Sequence, residues 1–266
     1  MGPETYNIVF VGAGNVATHL GPALKAQGHE ILQVYSQTAH SAQVLSCRLK
    51  AFPITDIAEL DYSADIFLFC LKDDALLNTL KQTRFTNQLL IHTAGSLPLD
   101  IFKDFGFHYG VLYPVQTLIK ERILDLSDVP FCVEASTPYA ESIILKLATG
   151  LSGKVEIVDS EKRKIIHVAA VFACNFPNHM FYIADKLMSE NDLDYDLLKP
   201  LIKETFAKIM ETDPLTAQTG PAKRGDLKII EEHLQLLKDH PIMQKIYTFV
   251  SESIAEIYKK DKNQKS

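Results

Sequence analysis

The 266-residue sequence predicts an α/β domain with a doubly wound parallel sheet, followed by an all-helical domain. Up to about residue 158, short apolar runs alternate with amphipathic stretches, which is the pattern of strands joined by helices. From Ser160 to Tyr258 there is no convincing strand pattern. We therefore place the domain boundary after residue 158, so that the two predicted domains span 1–158 and 159–266.

Seven apolar runs in the first domain are predicted as strands, and four amphipathic stretches between them as helices. The strands are 6–11, 30–35, 65–70, 88–93, 107–112, 130–135 and 154–158, and the helices are 15–27, 39–49, 73–83 and 138–150. Gly28 stands where the first helix should end, as a left-handed C-terminal cap. The alternation predicts right-handed crossovers in a parallel sheet.

The second domain is predicted as four helices, over 160–188, 194–211, 226–238 and 241–258. Pro177 lies inside the first of these, where its missing N–H should kink the helix. Asp226 and the Asp-His-Pro sequence at 239–241 have the chemistry of helix starts.

Charge and cysteine usage exclude several classes of function. The chain has 27 Lys and Arg against 33 Asp and Glu, and this net charge of −6 disfavours nucleic acid as a partner. Cys47, Cys70, Cys132 and Cys174 are not spaced as metal ligands, so we expect no metal and a reducing cytoplasm. There is no signal-peptide pattern, and the most apolar helical stretch, 165–176, is too short to cross a membrane.

The strongest motif is a Gly-x-Gly-x-x-Ala sequence, in which Gly12 and Gly14 follow the first strand and open a helix. The first glycine permits the tight turn, and the second lets the backbone approach a pyrophosphate. A small residue, Ala17, lets the helix pack on the strand, and the helix start attracts phosphates. The motif predicts a dinucleotide site of the Rossmann type, with Asn15 and Val16 as further cofactor contacts.

The turn after the second strand bears on which dinucleotide is bound. It consists of Ser36, Gln37 and Thr38, and it lacks the carboxylate that would bind the ribose 2′-OH of NAD. Hydroxyl and amide groups can donate to a 2′-phosphate, which favours NADP and leaves NAD as the alternative. The Arg expected in an NADP site is absent, so His40 or Arg48 would have to assist. Alternatively, Thr38 only caps the next helix.

Ligands bind beyond the carboxyl ends of the strands in open α/β sheets, which selects two further segments. The cofactor-binding candidates in them are Leu71, Lys72, Thr93, Ala94 and Gly95. The hydroxyl of Ser96 suits contact with the nicotinamide ribose or a substrate, and we count this residue as a catalytic candidate. Asp73 or Asp74 is predicted as a helix N-cap, and the Thr-Ala-Gly-Ser segment could also be an ordinary glycine turn.

Four segments occurring in order, HTAGSLPLDIF, GVLYPVQTL, IIHVAAVFACNF and LTAQTGPAKRGDLKIIEEHLQLL, resemble a family of bacterial Rossmann-like proteins. This family carries a C-terminal helical domain of unknown function, and its members are often labelled NADP oxidoreductases. The layout is more distantly similar to pyrroline-5-carboxylate reductase, ketopantoate reductase and the 6-phosphogluconate dehydrogenase group. The resemblance implies hydride transfer between NADP and a C=O or C=N carbon. It also implies a helical domain like the C-terminal domain of 6-phosphogluconate dehydrogenase, which closes the site and forms a homodimer.

Such a reaction needs a group that protonates the oxygen or nitrogen of the substrate. His167, Val171 and Asn175 share one face of a predicted helix, where His167 could donate a proton and Asn175 could orient a polar group. The dehydrogenases that the chain resembles usually have a Lys four residues before the Asn, and Val171 stands there instead. The alternatives are that His167 and Asn175 are buried polar residues bonded to backbone, that His179 is the donor, or that water is.

Three further residues are predicted to contact the substrate. Arg224 could bind a carboxylate bidentately, in a predicted loop over 218–226 that also contains Thr219. Gln116 follows a strand and could contact either ligand. A solvated Arg224 in a structural loop is the alternative.

The sequence thus predicts a cytoplasmic NADP-dependent oxidoreductase acting on a small keto or imino compound. A non-catalytic NAD(P)-binding sensor is the main alternative, since Val171 replaces the expected polar residue. A reductase that uses a deazaflavin cofactor is a third hypothesis, based on fold analogy alone. The expected partners are a small-molecule substrate and a second copy of the chain, with no nucleic acid or membrane.

Overall fold

The computed structural model describes residues 5–264, and side chains over 5–259. The strands are β1 Asn7–Val11, β2 Glu30–Tyr35, β3 Phe52–Ile54, β4 Ile66–Phe69, β5 Leu89–His92, β6 His108–Pro114, β7 Phe131–Ala135 and β8 Val155–Ile157. The α-helices are α1 Asn15–Ala26, α2 Ala39–Leu49, α3 Asp73–Leu80, α4 Pro138–Leu151, α5 Ser160–Ala170, α6 Phe176–Ser189, α7 Lys199–Glu211, α8 Pro214–Ala217, α9 Pro221–Arg224, α10 Leu227–Leu236 and α11 Pro241–Gln264. The predicted class, an α/β sheet followed by a helical region, is confirmed.

The strands form one sheet in the order β3-β2-β1-β4-β5-β6-β7-β8. All neighbouring pairs are parallel except β6 and β7, which are antiparallel. The fully parallel sheet predicted from the sequence is therefore wrong at this one pair. The connection over 115–130 contains no crossover helix, so the chain returns beside β6 in the opposite direction.

Helices and short connections bury both faces of the sheet. On one face, α1, α2 and α4 pack on the central strands, with Leu20, Leu24 and Ile144 fully buried. On the other face, α3 and two 3₁₀ turns contribute a second core that includes Phe67 and Phe102. A sheet covered on both faces offers ligands the edge where its strands end.

Strand β3 was not predicted from the sequence, whereas the end of the first helix was predicted correctly. Strand β3 has only three residues and contains Pro53, which is tolerated because the strand lies at the sheet edge. Gly28 follows α1 with φ +95°, and its N–H donates to the carbonyl of Lys25 at 3.0 Å. This is the left-handed cap that was predicted.

The chain divides into two compact units between Phe176 and Pro177. The predicted domain boundary, between residues 158 and 159, lies just after the last strand. Helix α5 comes after this predicted boundary, yet it belongs to the first compact unit. A π-helical turn over Val171–Asn175 separates α5 from α6. This wide turn ends just before Pro177, whose ring would clash with a carbonyl in a regular α-helix, so the predicted disturbance takes the form of a π-turn.

In the second unit, residues 218–226 were predicted as a loop. The structure has one helical turn there, α9, so the prediction is wrong over Pro221–Arg224. Asp226 does precede α10 as predicted, but its carboxylate accepts a hydrogen bond from Arg224 Nε at 2.8 Å and caps no backbone N–H. Over the part of the chain that the structure describes, no helix combines the length and apolar character needed to cross a bilayer.

Candidate active site

The turn between β1 and α1 requires glycine at its first position. Gly12 has φ +115°, and a Cβ there would lie 2.5 Å from the carbonyl oxygen of Cys70. The N–H of Gly12 donates to the carbonyl of Tyr35 at 2.9 Å. The turn is therefore fixed to the ends of both β2 and β4.

The second glycine is not required by packing within the chain. A Cβ on Gly14 would meet only Cys70 O, at an ordinary 3.6 Å. Gly14 is the N-cap of α1, no side chain caps this helix, and its first turn carries no acidic residue. Asn15 is exposed, Val16 is half-buried and Ala17 is fully buried. The uncapped helix start and the small Gly14 together fit the pyrophosphate of a dinucleotide.

The connection over 115–130 returns past this helix start. The ring of His19 lies between two carbonyl oxygens, with Nδ1 2.8 Å from Asn15 O and Nε2 3.1 Å from Arg122 O. Gln116 begins the connection at the end of β6, and its Oε1 accepts a hydrogen bond from the N–H of Thr117 at 2.9 Å. This exposed residue lies at the carboxyl edge of the sheet, and its contact with a ligand stays a prediction.

The turn after β2 presents polar groups to solvent. Gln37 and Thr38 are exposed, and Ser36 Oγ accepts from the N–H of Thr38 at 3.4 Å. Thr38 precedes α2 but makes no side-chain capping bond, so the alternative role considered for it is not seen. His40 lies in the first turn of α2, whereas Arg48 lies in its last turn, about 12 Å further along the axis. His40 is therefore the nearer of the two residues considered for this turn.

The segments after β4 and β5 are joined by a side-chain hydrogen bond. Ser96 Oγ donates to the carboxylate of Asp73, in the first turn of α3. The N-cap of α3 is the exposed Lys72, so the prediction of Asp73 or Asp74 as N-cap is wrong by one residue. Leu71 lies next to the glycine turn, since its Cδ2 would be 3.2 Å from a Cβ on Gly12.

A tyrosine and a histidine meet over the turn that follows β5. Tyr113 Oη, on β6, lies 3.1 Å from His167 Nδ1, on α5, and the two rings pack edge to face. A Cβ on Gly95 would lie 2.8 Å from both His167 Nδ1 and Tyr113 Cζ. Only glycine can occupy this position while the pair keeps its geometry.

The two rings differ in their exposure. Tyr113 is buried, and this burial raises the pKa of its hydroxyl. The nearby Cys132 raises it further, to a smaller degree. His167 is half-buried, and its Nε2 is the ring nitrogen not engaged by Tyr113. A protonated hydroxyl thus supports a histidine that solvent can reach, an arrangement suited to proton transfer.

The sequence did not single out Tyr113, although it did predict His167, Gly95 and Ser96. Tyr113 follows three apolar residues in β6 and therefore has the pattern of a core position. Its only distinguishing feature in the sequence is its place near the carboxyl end of a strand.

A π-turn lies between His167 and Asn175. The predicted shared face assumed 3.6 residues per turn, and the chain over 171–175 is wound more widely than that. Asn175 is exposed and His167 is half-buried. That these two side chains share one face stays a prediction.

The other predicted substrate residues belong to the second unit. Thr219 lines a cavity of about 300 Å³ with apolar neighbours such as Met180, Ile183 and Val250. The guanidinium of Arg224 engages Asp226 within its own loop. His179, the alternative donor, stacks on Tyr182 in the same unit.

His92 and Thr93, where β5 leads into the Thr93–Ser96 turn, are buried. Thr93 Oγ1 donates to the carbonyl of Phe69 at 3.4 Å, and the N–H of Ala94 donates to His92 Nδ1 at 3.2 Å. Burial, together with the charge of Arg163, lowers the pKa of His92 to about 3. His92 is therefore a neutral structural residue of the turn.

Two family models match the chain. One is a Rossmann-like domain over residues 2–110, and the other is a domain of unknown function, DUF2520, over residues 129–254. No curated protein matches.

Among the described residues no group of three or more His, Cys, Asp or Glu side chains could hold a metal ion.

Solved structures match over nearly the whole chain. A putative NADP oxidoreductase from Bacteroides fragilis is 43% identical with a TM-score of 0.89, and the alignment covers 95% of this chain and 98% of that one. Pyrroline-5-carboxylate reductase from Streptococcus pyogenes is 12% identical, with a TM-score of 0.61 and coverage of 95% and 99%. An imine reductase from Myxococcus stipitatus in complex with NADP+ is 13% identical, with a TM-score of 0.60 and coverage of 97% and 94%. The last two similarities concern the fold alone.

The depressed pKa of His92 predicts a pH-dependent stability. The pKa of His92 in the folded protein, about 3, lies below its ordinary value of 6.5, so the unfolded chain takes up the proton first as pH falls. The residue therefore contributes stability that is present above pH 6.5 and is lost towards pH 3, at about 1.4 kcal/mol per pH unit. In His92→Asn, whose Oδ1 can still accept from Ala94, the free energy of unfolding measured in urea should fall less steeply between pH 6.5 and 4.5. Parallel curves for the two proteins would contradict this assignment.

Proposed function

The chain belongs to the family of Rossmann-like proteins that carry the DUF2520 domain, and we propose that it is an NADP-dependent oxidoreductase acting on a small keto or imino compound. The observation that carries the proposal is the Tyr113–His167 pair over Gly95. This pair lies at the sheet edge where the glycine turn would place a dinucleotide. The names of the related structures, an NADP oxidoreductase and an imine reductase with bound NADP+, support it.

The glycine turn and the adjoining strand ends would hold the cofactor. The pyrophosphate would lie at Gly12, Gly14, Asn15 and Val16, and the 2′-phosphate at the turn of Ser36, Gln37 and Thr38. The nicotinamide half would then extend along Leu71 and Lys72 towards Thr93, Ala94 and Gly95. The absence of a carboxylate in the 36–38 turn favours NADPH over NADH. When bound, the cofactor supplies the hydride.

His167 is placed to complete the reduction. When hydride reaches a C=O or C=N carbon, the oxygen or nitrogen gains a proton, which His167 Nε2 would donate in its imidazolium form. Tyr113 Oη then accepts from Nδ1–H and holds the ring in orientation. His167 is left neutral and regains a proton from solvent, which its partial exposure permits.

The remaining candidates would act on the substrate. Ser96, oriented by Asp73, can accept a hydrogen bond through its hydroxyl oxygen. Gln116 and Asn175 are exposed amides that could bind polar substrate groups. Thr219 and Arg224 remain proposed substrate contacts of the second unit.

We also propose that the protein is a cytoplasmic homodimer formed through its second unit. Within the part of the chain that the structure describes, α6, α7 and α10 contain no buried residue. Met210, Leu236 and Phe249 are 83%, 78% and 75% exposed. Apolar helical faces of this extent need a partner, and the family resemblance points to a second copy. The free cysteines suit a reducing compartment.

The cofactor assignment predicts a variant that folds normally but binds poorly. Since a Cβ on Gly14 meets only an ordinary contact, Gly14→Ala should fold as the wild type does, with a small loss of melting temperature because Ala is a poorer N-cap than Gly. The added methyl group occupies the path of the pyrophosphate, so the dissociation constant for NADPH should rise about tenfold or more. Fluorescence titration measures the affinity, and Gly153→Ala, whose Cβ meets nothing within 4 Å, is the control. Unchanged affinity would contradict the assignment, and failure of the wild type to bind NADPH or NADH would contradict the proposed function.

The proton-donor assignment predicts losses in turnover. A screen for NADPH oxidation against keto acids, aldehydes and cyclic imines would identify a substrate. With that substrate, His167→Ala should lower kcat by about 10²–10⁴-fold. Tyr113→Phe should lower kcat by less, because a water molecule can still hydrogen-bond to the His167 ring in place of the Tyr113 hydroxyl. His179→Ala should be near wild type. Loss of activity in His179→Ala but not in His167→Ala would show that the other histidine is the donor, and binding without turnover would favour the sensor.

The dimer predicts a solution mass near twice 29.8 kDa. Sedimentation equilibrium would measure it, and Phe249→Glu should shift the population towards monomer because it places a charge in an apolar contact. Gln43→Glu, on an exposed part of α2 in the first unit, is the control. A monomeric wild-type protein would refute the dimer without touching the enzymatic proposal.

A further inference from the structure

The largest fully buried side chain in the described structure is a charged one, that of Arg163. It lies on α5, one helical turn before His167. A charge removed from water costs several kcal/mol unless it is paired and hydrogen-bonded. Its partners therefore show what the fold gains by placing a guanidinium there.

The guanidinium joins three parts of the first unit. It forms an ion pair with the carboxylate of Glu134 on β7, and Nη2 donates to the carbonyl of Leu97 and, at 3.3 Å, to Ser160 Oγ. Leu97 follows the Thr93–Ser96 turn directly. The same guanidinium thus holds β7, α5 and the chain beyond that turn.

Ser160 completes the network from the first residue of α5. Its N–H and its hydroxyl both donate to the Glu134 carboxylate, at 3.0 and 2.8 Å. Its Oγ also accepts from the N–H of Leu99 at 2.9 Å. The start of α5 and the segment 97–99 are therefore fixed to each other through two residues.

The network contacts the candidate active site on two sides. Residues four apart lie on one face of a helix, so Arg163 and His167 face the same way. Arg163 holds the chain two residues after Gly95, and His167 packs against Gly95 itself. A shift of α5 relative to this turn would change the contact between His167 and Tyr113.

We propose that Arg163, held by Glu134 and Ser160, is the positioning residue that sets His167 over the Thr93–Ser96 turn. This inference rests on the proposed function. Arg163 itself touches neither ring by a hydrogen bond, so its effect passes through α5 and the turn. Its buried charge also opposes the rise that burial causes in the pKa of Tyr113.

Two variants test the network without removing the fold. Arg163→Lys keeps the charge but loses the planar fork that engages Glu134 and Leu97 together. Ser160→Ala removes the hydroxyl contacts and leaves the ion pair, while α5 keeps its Asp159 cap, whose side chain accepts from the N–H of Lys162. The matched control is Lys164→Ala on the same helix, which removes only a solvent-exposed ion pair with Glu161.

The first measurement is NMR titration of His167 in ligand-free protein, with its signal identified by comparison with His167→Gln. Both network variants should move the midpoint and the ring chemical shifts of His167, because the Tyr113 contact changes, and Lys164→Ala should not. With a substrate in hand, Arg163→Lys should lower kcat about 10–100-fold, the penalty of a misplacement near 1 Å. NADPH affinity should fall by less than kcat does, since the pyrophosphate contacts at Gly12 and Gly14 are untouched.

A purely structural network gives a different result. In that case the variants would unfold at lower urea concentration, yet His167 would titrate as in the wild type and kcat would be unchanged, which would overturn the inference. If Arg163→Lys does not fold, Ser160→Ala alone decides the question. If the wild type binds no nicotinamide cofactor, the proposed function fails, and the NMR titration still decides whether the network positions His167.

Discussion

The candidate active site depends on the missing side chain of Gly95. Because nothing projects from this residue, Tyr113 from β6 and His167 from α5 can meet above the turn that follows β5. A methyl group would separate the two rings or push α5 from the sheet. The glycine therefore allows a strand end, a turn and a helix to converge on one polar contact, which includes His167, the proposed proton donor.

The two glycines at the proposed pyrophosphate site have different roles. At Gly12 the backbone of Cys70 excludes any side chain, so the residue is required by the fold itself. At Gly14 the fold would tolerate a methyl group, and the open space is better explained by a ligand. At the nicotinamide end, Ser96 is held by Asp73, and Arg163 is held by Glu134. The proposed binding site and the proposed proton donor thus lie at adjacent strand ends of one sheet.

Much of the fold could be predicted from the sequence because strands, helices and the Gly12 turn leave local patterns. The antiparallel pair β6–β7 also had a local cause, the lack of a helical pattern over 115–130. Strand β3 was missed because three residues that include a proline carry little periodicity. The π-turn over 171–175 was missed because the spacing of apolar residues predicts a helix but not a local change in its winding.

The site residues that the sequence missed are defined by contacts between distant segments. Tyr113 has the pattern of a core residue, and only the approach of α5, 54 residues later, gives its hydroxyl a role. Arg163 stands among other charged residues at the start of a helix and resembles a solvated one, yet it is fully buried. The most direct test of the account is a crystal structure with bound NADP+. The account predicts the pyrophosphate at Gly14 and nicotinamide C4 beside Gly95, facing His167. A nicotinamide ring bound away from Gly95, with other side chains facing C4, would contradict it.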